Sequence, residues 1–298
     1  MPEAPREPVR ADVSFESCGA LLRGWLYRPG GSGTAGPSPE PGPGVVMAHG
    51  LSAVKEMFLD DFARAFAAAG LTTLAYDHLG FGESGGTPRQ SPDAAVQRQG
   101  YRDAVHWMAR QDGVDPARIG IWGSSFSGGQ VISLAAEDLP IAAAVAQVPF
   151  LGDTDHAVPA GAVDTIVAAL ERGDPAATVP AVTSTPDGNG VMYDDHAYEW
   201  FTRVAADRAP NWRNELLVAG LVGSGSFTPA QDLTRARVPL LLIVAPGDRL
   251  TSPAAALAAA GTAAHVQLIE VPGGHFDVYE AGFAAASAAA VDWFGRHL

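Results

Sequence analysis

The sequence predicts an α/β fold in which a mostly parallel sheet is flanked by helices. Short, continuously apolar runs of strand length alternate with helix-like segments between Gly44 and Val148, and the same alternation returns from Val238 onwards. Strands that are apolar on both faces are typical of a parallel sheet covered by helices on each side. Right-handed crossovers through such helices connect neighbouring strands.

The predicted elements follow one another in a regular order. An antiparallel hairpin over Val13–Pro29 turns at Cys18-Gly19, and a surface loop rich in Gly and Pro follows over Gly30–Gly44. Buried strands are predicted at Gly44–Ala48, Leu71–Tyr76, Arg118–Trp122, Ala142–Val148, Val238–Ala245 and Val266–Val271. Helices are predicted at Met57–Ala69, Ala94–Arg110, Phe126–Glu137, from Pro253, and at Ala281–His297. Together they define a core of residues 1–150 and 236–298.

Residues 151–235 have a different pattern, which predicts a helical cap inserted into the core. The segment has several prolines, few β-branched runs and helix-like pieces at Asp164–Arg172, Ala197–Ala209 and Trp212–Leu221. At about eighty residues it is longer than a single crossover needs. Unusually long crossover helices are the alternative.

Charge and cysteine content exclude several classes of protein. The 298-residue chain has 33 acidic and 19 basic residues and a formal charge of −14, whereas nucleic acids and anionic membranes attract basic patches. The single cysteine, Cys18, allows neither an intrachain disulfide nor a cysteine-rich metal site. Met1–Val13 lacks the apolar region of a signal peptide, and no apolar run reaches transmembrane length. We therefore expect a soluble, cytoplasmic protein that binds neither nucleic acid nor membrane.

The segment from Arg118 to Gly129, RIGIWGSSFSGG, predicts a nucleophilic serine at Ser125. A strand leads into a sharp turn and then into a helix, and the turn needs small residues two positions before and after the serine. Gly123 meets this requirement, while Ser127 stands where glycine is usual. Serine is still small, so the steric argument holds although the G-x-S-x-G pattern is incomplete.

A base and an acid are predicted on later loops of the same sheet. A serine hydroxyl needs a base to remove its proton, and a neutral imidazole does so near pH 7. His275 follows the strand at Val266–Val271, and Asp248 follows the strand at Val238–Ala245. The chain order Ser, Asp, His is the order of the α/β-hydrolase triad.

An oxyanion hole is predicted from two backbone amides. The amide of Phe126 lies at the start of the helix directly after Ser125, where free N–H groups point outward. The loop after the first parallel strand, His49-Gly50-Leu51, supplies the second amide at Leu51. Gly50 permits the sharp turn that this loop requires.

These motifs together resemble the α/β-hydrolase superfamily from about Arg23 to the C-terminus. The motifs that carry the resemblance are the His49-Gly50 loop, the Asp77–Ser84 turn, the Ser125 elbow, the Gly247-Asp248 loop and the Gly274-His275 loop. Segments Gly274–Tyr279, Asp194–Tyr198 and Asn211–Asn214 are similar to the branch that contains dienelactone-hydrolase-like enzymes and fungal polyketide transferases. The resemblance implies an α/β-hydrolase fold with acyl chemistry on an ester or thioester and no cofactor.

Other functional interpretations of the sequence are weaker. Gly80–Gly85 matches the dinucleotide fingerprint G-x-G-x-x-G, but Thr87-Pro88 interrupts the helix that should follow, so we reject that interpretation. Asp277, two residues from His275, is a less favoured acid than Asp248. The remaining histidines show no metal-ligand spacing, so no metal site is predicted: His78, His106, His156, His196, His265 and His297.

Three residues are weaker candidates for substrate binding. His78 would lie next to the site in this fold, and Trp200 and Trp212 of the cap could line an acyl pocket. A structural role is as plausible for the two tryptophans, which could form a small core within the cap.

Three functions stay open at the level of sequence. The first is hydrolysis of a small or medium acyl ester or thioester through an acyl-enzyme on Ser125. The second is acyl transfer or thioester cleavage on a biosynthetic, polyketide-type acyl thioester. The third is ligand binding without catalysis. The expected partner is a small-molecule acyl substrate, and a homodimer is one of the oligomeric states that the sequence allows.

Overall fold

A computed structural model of the protein describes residues 7–30, 40–152, 158–194, 196–261 and 263–298. Its central feature is an eight-stranded sheet in the order β1-β2-β4-β3-β5-β6-β9-β10. The strands are β1 (Val9–Ser17), β2 (Ala20–Arg28), β3 (Gly42–Ala48), β4 (Thr72–Tyr76), β5 (Val114–Ser124), β6 (Ala143–Gln147), β9 (Leu240–Val244) and β10 (Val266–Glu270). Strands β1 and β2 are antiparallel, and β2 also runs antiparallel to β4. All other neighbouring pairs are parallel, which confirms the predicted sheet.

Eight helices and a small second sheet complete the described part of the chain. The helices are α1 (Leu59–Ala68), α2 (Ala94–Met108), α3 (Phe126–Ala135), α4 (Ala160–Arg172), α5 (Ala197–Arg208), α6 (Val218–Gly223), α7 (Pro253–Ala260) and α8 (Phe283–His297). Short 3₁₀ helices lie at Pro229–Arg235 and Asp277–Tyr279. The second sheet pairs β7 (Thr178–Val179) with β8 (Leu216–Leu217) in antiparallel fashion. No helix among the described residues is both long and apolar enough to span a membrane.

Several predicted boundaries differ from the observed ones for local reasons. Helix α1 begins at Leu59 rather than Met57, because Phe58 has a left-handed backbone conformation with φ 69°. The predicted loop over Gly30–Gly44 ends early, since β3 already begins at Gly42. The rest of that loop, residues 31–39, lies outside the described residues, as do His156 and Asp195.

The predicted helix over Trp212–Leu221 is wrong in its first half. Leu216 and Leu217 form β8, which pairs with β7, and the helix starts only at Val218. Both leucines are buried, and Leu216 belongs to an apolar cluster formed mainly by residues 151–235. A partner strand some forty positions earlier therefore outweighs the local helical pattern, as tertiary context often does.

The apolar core occupies both faces of the sheet. Strand residues Met47 and Trp122 pack towards α1 and α8 on one face, while Val46 and Ile121 pack towards α2 and α3 on the other. The alternation of side chains along each strand distributes neighbouring residues between the two faces. This core fixes the carboxyl ends of the parallel strands, where the connecting loops meet.

Residues 151–235, which we call the cap after the sequence prediction, pack closely against the rest of the chain where the structure describes them. Trp200 and Phe201 of α5 belong to the same apolar cluster as α1 and α8. Leu233, in the 3₁₀ segment at Pro229–Arg235, belongs to the cluster on the opposite face. A separate cluster holds the cap's own apolar residues together with Phe81 from the turn after β4.

Candidate active site

Ser125 lies in a strained turn between β5 and α3. Its backbone has φ 58° and ψ −119°, which is rare for any residue other than glycine. The Ser125 amide donates to the carbonyl of Gln147 at 2.9 Å, and the Ser125 carbonyl accepts from the amides of Gly129 and Phe150 at 3.1 and 2.9 Å. Such conformations persist only where the surrounding structure holds them, and they cluster at functional sites.

The small residues around Ser125 are sterically necessary. A Cβ atom added to Gly123 would lie 2.5 Å from the carbonyl oxygen of Ser127 and 2.9 Å from the hydroxyl of Tyr101. A Cβ on Gly129 would collide with the carbonyl oxygen of Phe150. Ser127 fits in place of the usual glycine because its hydroxyl has two partners beneath the turn, described below.

Asp248 and His275 meet at the carboxyl ends of β9 and β10. The Oδ2 atom of Asp248 lies 2.7 Å from Nδ1 of His275. Thr251 donates its hydroxyl to the same Oδ2 at 2.7 Å, and the amides of Leu250 and Thr251 donate to Oδ1 at 2.8 and 3.0 Å. Burial alone would raise the pKa of Asp248, but the His275 contact and the Thr251 bonds outweigh it and hold the pKa below its usual value. The carboxylate is therefore ionised and fixed in orientation.

The competing acid, Asp277, faces elsewhere. Its Oδ2 accepts a hydrogen bond from the Gly274 amide at 2.6 Å and so closes the turn that carries His275. The structure thus favours Asp248 as the partner of the imidazole.

Ser125 and His275 line one small cavity together. The cavity has a volume of about 30 Å³, and Gly50, Leu51 and Tyr279 also line it. The structure therefore brings together the three residues that the sequence predicted as a triad. In this arrangement Nδ1 of His275 is directed to Asp248, which leaves Nε2 as its basic atom.

The two predicted oxyanion amides flank Ser125. A Cβ atom on Gly50 would lie 3.0 Å from Cβ of Ser125, so the loop after β3 passes directly beside Ser125. Within the described residues, the amides of Leu51 and Phe126 donate no hydrogen bond to another protein group. Two free amide donors next to an accessible serine hydroxyl are what an oxyanion hole requires.

Two larger cavities adjoin this centre and differ in polarity. One, of about 230 Å³, contacts Ser125 and is mainly apolar; its side chains include Phe126, Phe150, Val191, Met192, Leu221 and Leu250. We call it the apolar cavity. The other, of about 380 Å³, contacts His275 and is rich in charged groups; they are Asp194, Glu199, Arg203, Arg249, Asp277 and Glu280. We call it the charged cavity.

The three candidate substrate-binding residues have different positions. Trp200 lines both the small cavity and the charged cavity, and it stacks on Phe276 with ring centroids 4.5 Å apart. Trp212 stacks on Phe201 at 5.3 Å and donates its indole N–H to Oγ of Ser52 at 3.2 Å, in the loop after β3. It therefore holds that loop against the cap.

His78 is not brought into the cavities around Ser125. Its side chain is fully buried, and its Nε2 lies 2.9 Å from Oγ of Ser127 beneath the turn. Burial lowers the pKa of His78 well below its usual value, so the imidazole is neutral. This position suits support of the turn rather than contact with a substrate.

Tyr279 is a site residue that the sequence reasoning missed. It lines the small cavity and donates its hydroxyl to Oγ of Ser124, next to the nucleophile, at 2.5 Å. Burial raises the pKa of Tyr279 to about 12, so the hydroxyl stays protonated and can donate. The available signal was its place four residues after His275.

Lys55 is a second feature that the sequence did not reveal. Its fully buried ammonium group donates to Glu56, Asp77 and Glu83 at 2.8, 2.9 and 2.6 Å and lies over the ring of Trp25. These three carboxylates are close enough together to hold a metal ion, but the ammonium group of Lys55 already lies among them and forms an ion pair with each. The Asp77–Ser84 turn folds around this cation, which explains its glycines without a dinucleotide.

Comparisons with known proteins agree with this fold. The chain matches the alpha/beta hydrolase family over residues 45–289. It is 28% identical to the quorum-quenching protein AidA of Acinetobacter baumannii over 92% of the chain and 90% of that protein. It is 32% identical to the polyketide transferase claH of Penicillium crustosum over 82% of each chain. The crystal structure of the alpha/beta hydrolase GrgF from a Penicillium species superposes with a TM-score of 0.76 and 25% identity, covering 97% of this chain and 99% of that one.

Proposed function

The chain belongs to the alpha/beta hydrolase family, and on that basis we propose that it is a serine hydrolase which cleaves a carboxylic ester or thioester through an acyl-enzyme on Ser125. The observation that carries this proposal is that His275, which pairs with Asp248 at 2.7 Å, lines the same cavity as the strained Ser125. Structural serines rarely combine such backbone strain with a paired imidazole.

The reaction follows from the proton positions. Nε2 of His275 takes the Ser125 hydroxyl proton while Oγ forms a bond to the acyl carbon. Asp248 holds the imidazole in the correct tautomer and stabilises the imidazolium. The carbon–oxygen or carbon–sulfur bond to the leaving group then breaks, and His275 returns the proton to the alcohol or thiol. Water attacks the acyl-enzyme by the same proton path and frees the acid.

The backbone amides of Leu51 and Phe126 stabilise the negative oxygen of each tetrahedral intermediate. A fixed donor at such an oxygen contributes roughly 3–4 kcal/mol to catalysis in well-studied enzymes. Both amides belong to segments with rigid supports, the start of α3 and the loop after β3. The hole therefore needs little rearrangement when charge develops.

The apolar cavity is the proposed site of the acyl group. It adjoins Ser125 and the residues of the two proposed oxyanion amides, Leu51 and Phe126. An acyl carbon must lie close to all three to react. Its volume of about 230 Å³ is below the range typical of pockets for drug-sized ligands, which suits a small or medium acyl group. Its mainly apolar side chains favour a hydrocarbon-like chain over a charged one.

Acyl transfer is the second candidate function, because the charged cavity adjoins His275. A cavity next to the base could hold an acceptor alcohol or amine, or the thiol part of a biosynthetic acyl thioester. The relative named polyketide transferase supports this alternative.

Ligand binding without catalysis is the third candidate, and the intact triad argues against it. We also propose a cytoplasmic protein that uses no cofactor and acts on a small molecule, with a homodimer as one possible assembly.

A fluorophosphonate probe tests the proposal directly. We expect the wild type to be labelled and to hydrolyse 4-nitrophenyl esters of medium chain length. Ser125→Ala should lose both properties, whereas the matched variant Ser133→Ala, two turns further along the same helix and bonded to Asp232, should keep them. A wild type that is not labelled, or a Ser125→Ala variant that is labelled, would contradict the proposal. Product analysis with an acyl thioester, with and without added alcohols, distinguishes the two reactions. Hydrolysis gives the free acid, whereas acyl transfer gives the ester of the added alcohol.

A further inference from the structure

A closed ring of hydrogen bonds lies beneath Ser125, and neither the triad nor the oxyanion amides account for it. Oγ of Ser127 donates to the carbonyl oxygen of His49 at 2.5 Å and lies 2.9 Å from Nε2 of His78. The amide of His78 donates to Nε2 of His49 at 3.2 Å. Nδ1 of His49 lies 2.9 Å from the carbonyl oxygen of Gly50. All three side chains are buried.

The proton positions in the ring follow from these contacts. Because Ser127 donates its only proton to His49, its oxygen accepts from Nε2–H of His78. Nε2 of His49 accepts from the His78 amide, so Nδ1 carries the proton that is donated to Gly50. Burial lowers the pKa of His49 to about 4 and lowers that of His78 as well, so both imidazoles are neutral at pH 7. Each contact then has one donor and one acceptor.

We propose that Ser127 is a positioning residue for the oxyanion hole, a role that rests on the proposed serine hydrolase function. Its hydroxyl fixes the carbonyl of His49, two residues before the amide of Leu51. The other end of the same loop is held by Trp212 through Ser52. The loop that supplies the second oxyanion donor is therefore tied to the nucleophile's own helix on one side and to the cap on the other.

The departure from G-x-S-x-G thus has a chemical reason. A glycine at position 127 would satisfy the steric requirement of the turn, but it would leave the His49 carbonyl and the His78 Nε2–H without their buried partner. Unpaired buried groups of this kind are unfavourable, and nearby loops shift to relieve them. A shift of the His49–Leu51 loop moves the Leu51 amide away from the developing oxyanion, and small misplacements are costly for catalysis.

The test compares Ser127→Ala and Ser127→Gly with Ser133→Ala. Ser133 is a matched control because it lies on the same helix and its hydroxyl bonds to Asp232 at 2.7 Å, away from the ring. We expect the two Ser127 variants to lower kcat by about 10- to 100-fold with less than a threefold change in KM, since part of one oxyanion donor is lost. A trifluoromethyl ketone, which forms an anionic adduct on Ser125, should bind more weakly by the same factor.

A second measurement does not depend on catalysis. Hydrogen–deuterium exchange of the peptide that spans His49 to Phe58 should be faster in Ser127→Ala than in the wild type or in Ser133→Ala. His78→Gln, whose side-chain amide can still donate to Ser127, should retain slow exchange and most of the activity.

The outcomes separate the two proposals. Wild-type kcat in Ser127→Ala, or an equal loss in Ser133→Ala, would overturn the positioning role. Unchanged exchange in Ser127→Ala would overturn it as well, even if the wild type hydrolysed no ester. Failure of the phosphonate to label wild-type Ser125 would instead remove the proposed hydrolase function, while faster exchange in Ser127→Ala would still support the structural part of the ring's role.

Discussion

The substitution Asp248→Asn tests the proposed role of Asp248 as the acid that orients His275. The hydrogen bonds around Asp248 determine the orientation of the asparagine amide. Oδ1 of Asp248 accepts two backbone amides, so the asparagine must keep its carbonyl oxygen there. Its NH₂ group then replaces Oδ2 and faces Nδ1 of His275, which lies at 2.7 Å in the wild type. A donor at that place forces Nδ1 to accept, and the imidazole proton moves to Nε2. The atom that should receive the Ser125 proton is then already protonated.

The expected loss is large because two contributions disappear together. The base is held in the wrong tautomer, and the imidazolium loses the carboxylate that stabilises it. The same change in the triad of a serine protease lowers kcat about 10⁴-fold. We expect a decrease of about 10³- to 10⁴-fold here, equivalent to about 4–5.5 kcal/mol of transition-state stabilisation.

The assay is hydrolysis of a 4-nitrophenyl ester, followed together with the rate of phosphonate labelling. Asp277→Asn is the matched control, because it removes the same charge two residues from His275 and keeps an oxygen for the Gly274 amide. We expect that variant to stay within threefold of the wild type. If Asp248→Asn keeps more than a tenth of the wild-type kcat, or if Asp277→Asn loses as much, the assignment of the acid is wrong.

Three further substitutions test the surroundings of the site. Gly50→Ala would place a Cβ 3.0 Å from Cβ of Ser125 and should lower kcat about 100-fold by displacing the oxyanion loop, measured with the same ester. Between pH 7 and pH 5, the free energy of unfolding measured with urea should fall less steeply for His78→Gln than for the wild type. The two slopes should differ by up to about 1.4 kcal/mol per pH unit. The pKa of His78 is lower in the folded protein than in the unfolded chain, so the contribution of its neutral imidazole to the free energy of unfolding is complete above about pH 6.5 and is lost on acidification. Equal pH slopes for the variant and the wild type would contradict this. Lys55→Met leaves the buried Asp77 unpaired and should reduce the free energy of unfolding by about 3–5 kcal/mol, whereas a loss below about 1 kcal/mol would show that Asp77 is neutral.

Much of the site was predictable because the sheet determines where its loops meet. Parallel strands end at one edge, so residues directly after β3, β5, β9 and β10 are brought together whatever their distance in sequence. Leu51, Ser125, Asp248 and His275 each follow one of these strands within a few positions. Small residues at the turn and a late histidine then led to the predicted chemistry.

The cap was predicted less well because its structure depends on contacts from distant parts of the chain. Leu216 and Leu217 read as helical until the pairing with β7 is known. Trp200 packs with Phe276 and Tyr279, which follow His275 in the chain, rather than within a core of the cap alone. Neither hydrophobic pattern nor propensity contains information about such partners.

Ser127 stands where the G-x-S-x-G motif has glycine, and this difference indicates a structural role for its hydroxyl. The sequence identified it only as a small residue that the turn tolerates, because a hydroxyl's partners cannot be read from neighbouring positions. The structure gives it two buried partners from two different loops. Helix α3, the His49–Ser52 loop and the cap are thereby connected through hydrogen bonds, with Trp212 bonded to Ser52. The proposed oxyanion donor at Leu51 and the cap consequently share one support, so we expect substitutions in the cap to affect kcat as well as KM.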